Sequence, residues 1–306
     1  MANVIKQSGI DRRVYWIKEI EKLSGDFSGD FDRLEKELSE EIKKDGVDAL
    51  LDHLRLSGDI PEQYSHDSSE EKLYSKYTDA LLCETYKFLG FKSNVLTERA
   101  DAADVDAFAK EYSFVADAKT FRLSRTAKNQ KDFKVQAMDG WKRGKPFAMV
   151  VCPIYQLPIR SSQIYEQAST RNVCIFTYSH LSVLVALKQL AGEEAVDSLL
   201  LKIFNSVKNL MPSKDAQNYW NAVNNTMLSF NSKIDEFWIT EKIAARESIV
   251  IAKEQALTYL HNEQDKIMKL SHDEALKALL KVHKLDSKIE VIKGVSDNDI
   301  LGMRTN

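Results

Sequence analysis

Residues 114–119 read Phe114-Val115-Ala116-Asp117-Ala118-Lys119, a short apolar run that ends in two opposite charges. Side chains alternate between the faces of a strand. Val115, Asp117 and Lys119 would therefore share one side, with Phe114, Ala116 and Ala118 on the other. An apolar strand is a buried strand, and a charge placed in it needs a partner or a role. Any fold for this chain must carry a sheet whose interior holds a carboxylate beside an ammonium. Three other runs, 105–108, 148–151 and 173–177, share the short apolar make-up. Between the last two lies a helical stretch, 161–168. Strand, helix, strand of this kind predicts an α/β protein with a central mixed sheet flanked by helices.

Both flanks of that core read as helix. Residues 31–44 repeat Leu34, Leu38 and Ile42 among charges, with breaks expected before them at Ser28-Gly29-Asp30 and after them at Asp45-Gly46. Residues 47–56 place Val47, Leu50, Leu51 and Leu54 on one face, and the loop Ser57-Gly58-Asp59-Ile60-Pro61 ends them. Ser68 stands three residues before Glu71, as in a capping box. The helix it opens runs to about Leu89, with Gly90 as its C-terminal cap. After His180, apolar residues recur at helical spacing over 182–190, 194–210, 216–237 and 241–270. Trp220, Phe230, Phe237 and Trp238 read as helix-packing core. The expected organisation is one domain over 1–306, with a helical N-terminal region (1–90), a mixed-sheet core (91–187) and a helical C-terminal region (188–306).

Composition narrows the class without choosing the function. With 306 residues, 43% hydrophobic and 29% charged, the chain can bury a sizeable core and is not a disordered segment. A net charge of −3 decides nothing about nucleic acid, because local clustering of cations is what matters. Three cysteines without close pairing (Cys83, Cys152, Cys174) suit a reducing compartment. No run has membrane-spanning length, and the first residues lack a signal-peptide plan, so a cytoplasmic location is expected. The six histidines show no zinc-ligand spacing. Gly140-Trp141-Lys142-Arg143-Gly144-Lys145 is one residue short of a phosphate loop, and Pro146 stands where Ser or Thr is needed.

Chemistry concentrates around the first feature. Asp104, just ahead of the strand 105–108, gives a second carboxylate a hairpin away from Asp117. Two carboxylates on adjacent strands can hold a hard divalent cation and leave room for water and phosphate. The Ala118 carbonyl is a natural further ligand, and Lys119 would orient or deprotonate water or stabilise phosphorane charge. An acidic residue two before a lysine also occurs at Glu41/Lys43, Glu70/Lys72, Asp132/Lys134 and Asp286/Lys288. A structural ion pair is therefore the competing reading of Asp117 and Lys119. Asp106 shares a strand face with Asp104 and could take its place. Glu71 and Glu84 are candidates for a third carboxylate, against capping and a solvated face.

Directly after this strand comes a basic run containing Arg122, Ser124, Arg125, Thr126, Lys128, Asn129, Gln130 and Lys131. Arginine can read guanine and Asn or Gln adenine in bidentate fashion, while lysines and hydroxyls serve phosphates. The competing reading is a solvated basic loop. The combination points to a metal-dependent DNA endonuclease. A DNA-binding protein with a decayed nuclease core, and a repair nuclease of the same fold, are the alternatives.

The run from Val115 to Val135 closely resembles the corresponding stretch of the HindIII-like type II restriction endonucleases. Glu71-Lys72-Leu73-Tyr74-Ser75-Lys76, Asp104-Val105 and Ser162-Gln163-Ile164-Tyr165 are also similar. So are the C-terminal Glu274-Ala275-Leu276-Lys277-Ala278-Leu279-Leu280 and Ser287-Lys288-Ile289-Glu290. The resemblance covers residues 57–187 and returns near the C-terminus. It implies a PD-(D/E)XK fold and a homodimer on double-stranded DNA in a bacterial cytoplasm. It also implies Mg2+-dependent cutting at AAGCTT to leave a 5′ overhang. By motif, Asp104 and Asp117 match the metal carboxylates and Lys119 the catalytic lysine. The proline that names the motif is replaced by Ala103.

Overall fold

A computed structural model describes residues 3–96, 102–125 and 133–294. Helices α1 (Gln7–Ile20), α2 (Phe27–Leu56) and α3 (Ser69–Phe88) come first. The break expected at Ser28-Gly29-Asp30 lies upstream instead. Asp26 caps α2 by accepting from Ser28 N–H, and Asp30 reaches back to the backbone N–H of Ser24 at 3.0 Å. The turn between the helices is carried by Gly25, at φ +92°. The break expected at Gly46 is present, as a kink within α2 where this residue takes φ 72°. The Ser68 hydroxyl caps α3 by accepting from Glu71 N–H at 3.2 Å. Glu71 does not complete the capping box: its carboxylate accepts from Asp67 N–H at 2.6 Å.

The sheet follows, in the order β1 (Lys92–Val95), β2 (Val105–Phe108), β3 (Ser113–Ala118), β4 (Phe147–Cys152) and β5 (Val173–Thr177). The first two pairings are antiparallel and the last two parallel, so the sheet is mixed as expected. Every residue of β4 and β5 is buried, the pattern of parallel strands covered on both faces. α4 (Val135–Trp141) and α5 (Gln163–Thr170) precede β4 and β5 respectively. Helices α6 (Tyr178–Ala191), α7 (Glu193–Lys208) and α8 (Ala216–Leu228) come next, then α9 (Ile234–Met268), α10 (His272–Val282) and α11 (Leu285–Lys293).

The stretch 216–237 is thus two helices, parted after Leu228, with the Asn231 side chain accepting from Lys233 N–H at 2.9 Å in the turn between them. Trp220, Phe230, Phe237 and Trp238 pack on the core as expected. The cysteines are buried and unpaired. No described helix is long and apolar enough to cross a membrane. The chain forms two compact units, 1–256 and 257–306.

One buried charge in the first unit ties the N-terminal helices to the exit of β3. The Arg13 guanidinium lies 2.6 Å from Asp59 Oδ2 and donates to the Asp59 carbonyl at 3.3 Å and to Tyr74 Oη at 3.1 Å. The loop it holds pairs with the chain beyond β3, through Ile60 N–H to the Phe121 carbonyl and Phe121 N–H to the Gly58 carbonyl, both 3.3 Å. Burial works against both charges, and only their mutual attraction and hydrogen bonds offset it. Arg13→Leu leaves Asp59 buried without its cation and should cost about 3–5 kcal/mol. Urea unfolding checks this; a loss under about 1 kcal/mol would show that Asp59 does not depend on Arg13.

Candidate active site

The hairpin register brings the two sequence-marked carboxylates together. Val105 stands opposite Ala116, so the next step up the ladder sets Asp104 across from Asp117. Asp104 is held at the mouth of β2 by its carbonyl, which accepts from Leu96 N–H at 2.8 Å. Asp117 is completely buried near the end of β3. Lys119 continues the parallel ladder, its N–H donating to the Val151 carbonyl at 2.7 Å. Its own carbonyl accepts from Tyr178 Oη at 3.1 Å. With the backbone fixed on both sides, its ammonium reaches back to within 2.5 Å of Asp117 Oδ2.

Helix α3 adds two residues that sequence reasoning passed over. Asp79 is buried, and Lys76, one turn earlier, sets its ammonium 3.0 Å from Asp79 Oδ2 and 3.4 Å from Asp104 Oδ1. Neither proposed third carboxylate is used this way. Glu71 pairs with Arg122 at 3.1 Å, and Glu84 is buried beside Lys87 at 2.8 Å rather than on a solvated face. Asp106 stands opposite Val115, a step farther from Asp117 than Asp104, and pairs with Lys145 at 3.1 Å.

The site holds three carboxyls and two ammoniums, with Asp79 and Asp117 buried and Asp104, Lys76 and Lys119 partly exposed. Burial, reinforced by the charges of Asp79 and Asp117, pushes Asp104 up to about 9. Burial likewise pushes Asp79 up to about 6, although Lys76 opposes it. Burial would also raise Asp117, but Lys119 outweighs it and that carboxyl lies below the ordinary range. Lys119 is penalised by burial yet raised on balance by Asp117 and Asp104. Without a cation the Asp104–Asp117 pair therefore resists full ionisation, with Asp104 the more readily protonated partner.

The Asp117 carboxylate is fully buried, with the Lys119 ammonium 2.5 Å from Oδ2 and no aligned donor on Oδ1. A buried carboxylate facing a second one, with the Ala118 carbonyl next in the chain, offers an all-oxygen donor set, which fits a hard divalent cation. Asp79, Asp104 and Asp117 do not themselves converge on one point here. Among the described residues, the set that brings three ligand-type atoms within 4.8 Å of one another is His66, Asp67 and Glu71, at the start of α3.

The raised carboxyls also set a pH dependence. A carboxyl whose pKa is raised by folding stabilises the protein below its ordinary value near 4, and that stability is lost as pH rises through the folded value. The metal-free melting temperature should therefore fall from pH 6 to pH 9. Asp104→Asn, which mimics the protonated form, should flatten the slope and raise the melting temperature at pH 9. An unchanged slope would mean that Asp104 ionises freely in the fold.

The start of the basic segment is anchored by acidic side chains. Arg122 pairs with Glu71 and leaves Nη2 buried without a hydrogen bond. Ser124 donates from N–H and Oγ to Glu62 at 3.0 and 2.8 Å. Arg125 lies over the Phe121 ring, 5.3 Å from its centroid. Thr126, Lys128, Asn129, Gln130 and Lys131 lie outside the described residues.

A mixed five-stranded sheet with helices on its flanks is consistent with a restriction-endonuclease-like fold. The family model of the HindIII restriction endonuclease matches residues 14–296. Over 267 residues the chain is 36% identical to the type II restriction enzyme HindIII of Haemophilus influenzae, an alignment that covers 82% of this chain and 86% of that protein. The chain belongs to the HindIII restriction endonuclease family: it is a DNA-binding, site-specific deoxyribonuclease.

Proposed function

We propose that the protein cuts both strands of the palindrome AAGCTT in a Mg2+-dependent reaction, leaves a 5′ overhang, and works as a homodimer in the bacterial cytoplasm. The observation that carries the chemistry is the fully buried carboxylate of Asp117 facing Asp104 across the hairpin, with the Lys119 ammonium 2.5 Å from its Oδ2. In this reading Asp104, Asp117 and the Ala118 carbonyl hold the ion. Bound there, it would polarise the scissile phosphate and lower the pKa of the attacking water. Lys119 orients that water and offsets the negative charge that builds up on phosphorus. The water oxygen bonds to phosphorus as the bond to the 3′ oxygen breaks, which gives a 3′-hydroxyl and a 5′-phosphate. Lys76 and Asp79 set the charge around Asp104 and so position it.

The specificity rests on the family resemblance of the basic run, where Arg122, Ser124 and Arg125 stand directly after the site. In the same reading Thr126, Lys128, Asn129, Gln130 and Lys131 reach the duplex as well. Glu62 and Glu71 hold the first of these side chains in the free protein, and phosphate oxygens would take over those donors on binding. A palindrome presents the same half-site twice, which suits a two-fold symmetric dimer with one active site per strand. Cleavage of a short duplex carrying AAGCTT, compared with duplexes changed at single positions, tests the reading. Cutting confined to the unchanged duplex is expected. Cutting elsewhere would refute the specificity and leave the nuclease class standing.

A further inference from the structure

Among the described residues of the second unit, 257–294, the helices are well formed and amphipathic, yet almost nothing is buried. α10 opens on a complete capping box: Ser271 Oγ accepts from Glu274 N–H at 3.4 Å, and the Glu274 carboxylate accepts from Ser271 N–H at 2.8 Å. Along α10, Leu276, Leu279 and Leu280 fall on one face at three- and four-residue spacing. In α11 the stripe is Leu285, Ile289 and Ile292. The last turns of α9 carry Leu257, Leu260 and Ile267. No residue of α10 or α11 is buried, and these nine side chains are each between 41% and 71% exposed.

Helices of 11 and 9 residues are marginal in water without a covered face. The nine side chains present apolar surface on the order of 800 Å², comparable with the roughly 800 Å² that each partner buries in a standard interface. Apolar stripes left exposed on three successive helices mark an interaction surface. Its charges show what kind. Residues 272–293 carry five lysines and four carboxylates, a balance that offers no electrostatic attraction for a polyanion. Two identical balanced faces can meet without accumulating like charge. The family match also runs through this unit to residue 296.

We propose that the apolar face of 257–293 is covered by the same face of a second copy of the chain, which makes this unit the two-fold contact. The inference rests on the homodimer reading given under Proposed function. Sedimentation equilibrium of the full chain tests it, with the wild type beside Leu276→Glu/Leu280→Glu/Ile289→Glu. The four tryptophans (Trp16, Trp141, Trp220, Trp238) all lie in the first unit, so tryptophan-fluorescence melting reports whether its core stays folded.

The expected result is a dimeric wild type and a variant whose dissociation constant is raised at least about 100-fold, with an unchanged tryptophan melt. A variant as dimeric as the wild type would overturn this face and leave the homodimer reading intact. A wild type that is monomeric at every concentration and on DNA would overturn the homodimer reading itself. Hydrogen exchange of the unmodified protein gives a second measure. Amides of 272–293 should be protected at micromolar concentration and lose protection on dilution. Protection independent of concentration would mean that the protein's own chain covers the face.

Discussion

Lys119→Ala is expected to lower the rate of DNA cleavage by about 10³-fold, the range of a group that moves or orients a proton in the transition state. Duplex affinity measured without a cleavage-supporting metal should stay within about threefold, because one buried ammonium makes little of the contact with a polyanion. The competing reading, a structural ion pair, predicts something else. If Lys119 only balanced Asp117, replacing both charges by neutral groups of similar shape would restore a folded, active enzyme. The double variant Asp117→Asn/Lys119→Met separates the two. We expect it to fold as stably as the single variants or better and to remain without cleavage. Recovery of activity to within about tenfold of wild type would assign the pair to packing.

The second large effect concerns the cation. A ligand that binds only the folded state stabilises it by about 2.7 kcal/mol at a concentration about 100 times its dissociation constant. For a protein of this size that is a rise in melting temperature of about 5 °C. Magnesium should produce such a rise in the wild type, and Asp117→Asn should abolish it, since Asp117 is the fully buried carboxylate that would hold the ion. Because Asp104 is the more readily protonated partner in the metal-free site, the rise should be larger at pH 8.5 than at pH 6.5. Melting curves with magnesium and with chelator check both statements without relying on activity. A wild type whose melting temperature ignores magnesium, or an Asp117→Asn variant that still responds fully, would remove the ion from this place.

The sheet was readable where its strands are apolar and unreadable where they are not. Residues 114–118, 148–151 and 173–177 are buried throughout, as are Val105 and Ala107 of β2, and burial selects for the apolar runs that marked these strands. β1, Lys92-Ser93-Asn94-Val95, is an edge strand with Ser93 alone buried, so it has no apolar pattern to read. Gly46 marked the kink in α2 because its positive φ needs glycine. Gly29 lies inside the helix, where glycine costs stability but is not forbidden.

Asp104 and Asp117 were legible because they flank or interrupt apolar strands. Asp79 carried the same signal and was missed. It sits in Tyr77-Thr78-Asp79-Ala80-Leu81-Leu82-Cys83, every residue of which is buried, with Lys76 one turn away. The rule that singled out Asp117, a charge within an apolar run, applied equally to this helix. Glu71 and Glu84 drew attention as acidic residues, yet each is committed to a nearby cation. Which carboxylate a helix turns toward a sheet depends on packing, and spacing along the helix does not encode it.

The central claim is metal-dependent cutting at one palindrome by a site built on Asp104, Asp117 and Lys119. Digestion of a fully sequenced plasmid, with magnesium and with chelator, followed by sequencing of the fragment ends, tests it most directly. Discrete fragments are expected in magnesium alone, every end mapping to AAGCTT with a 5′-phosphorylated overhang. Fragments formed equally well in chelator, or ends scattered without a common sequence, would contradict it.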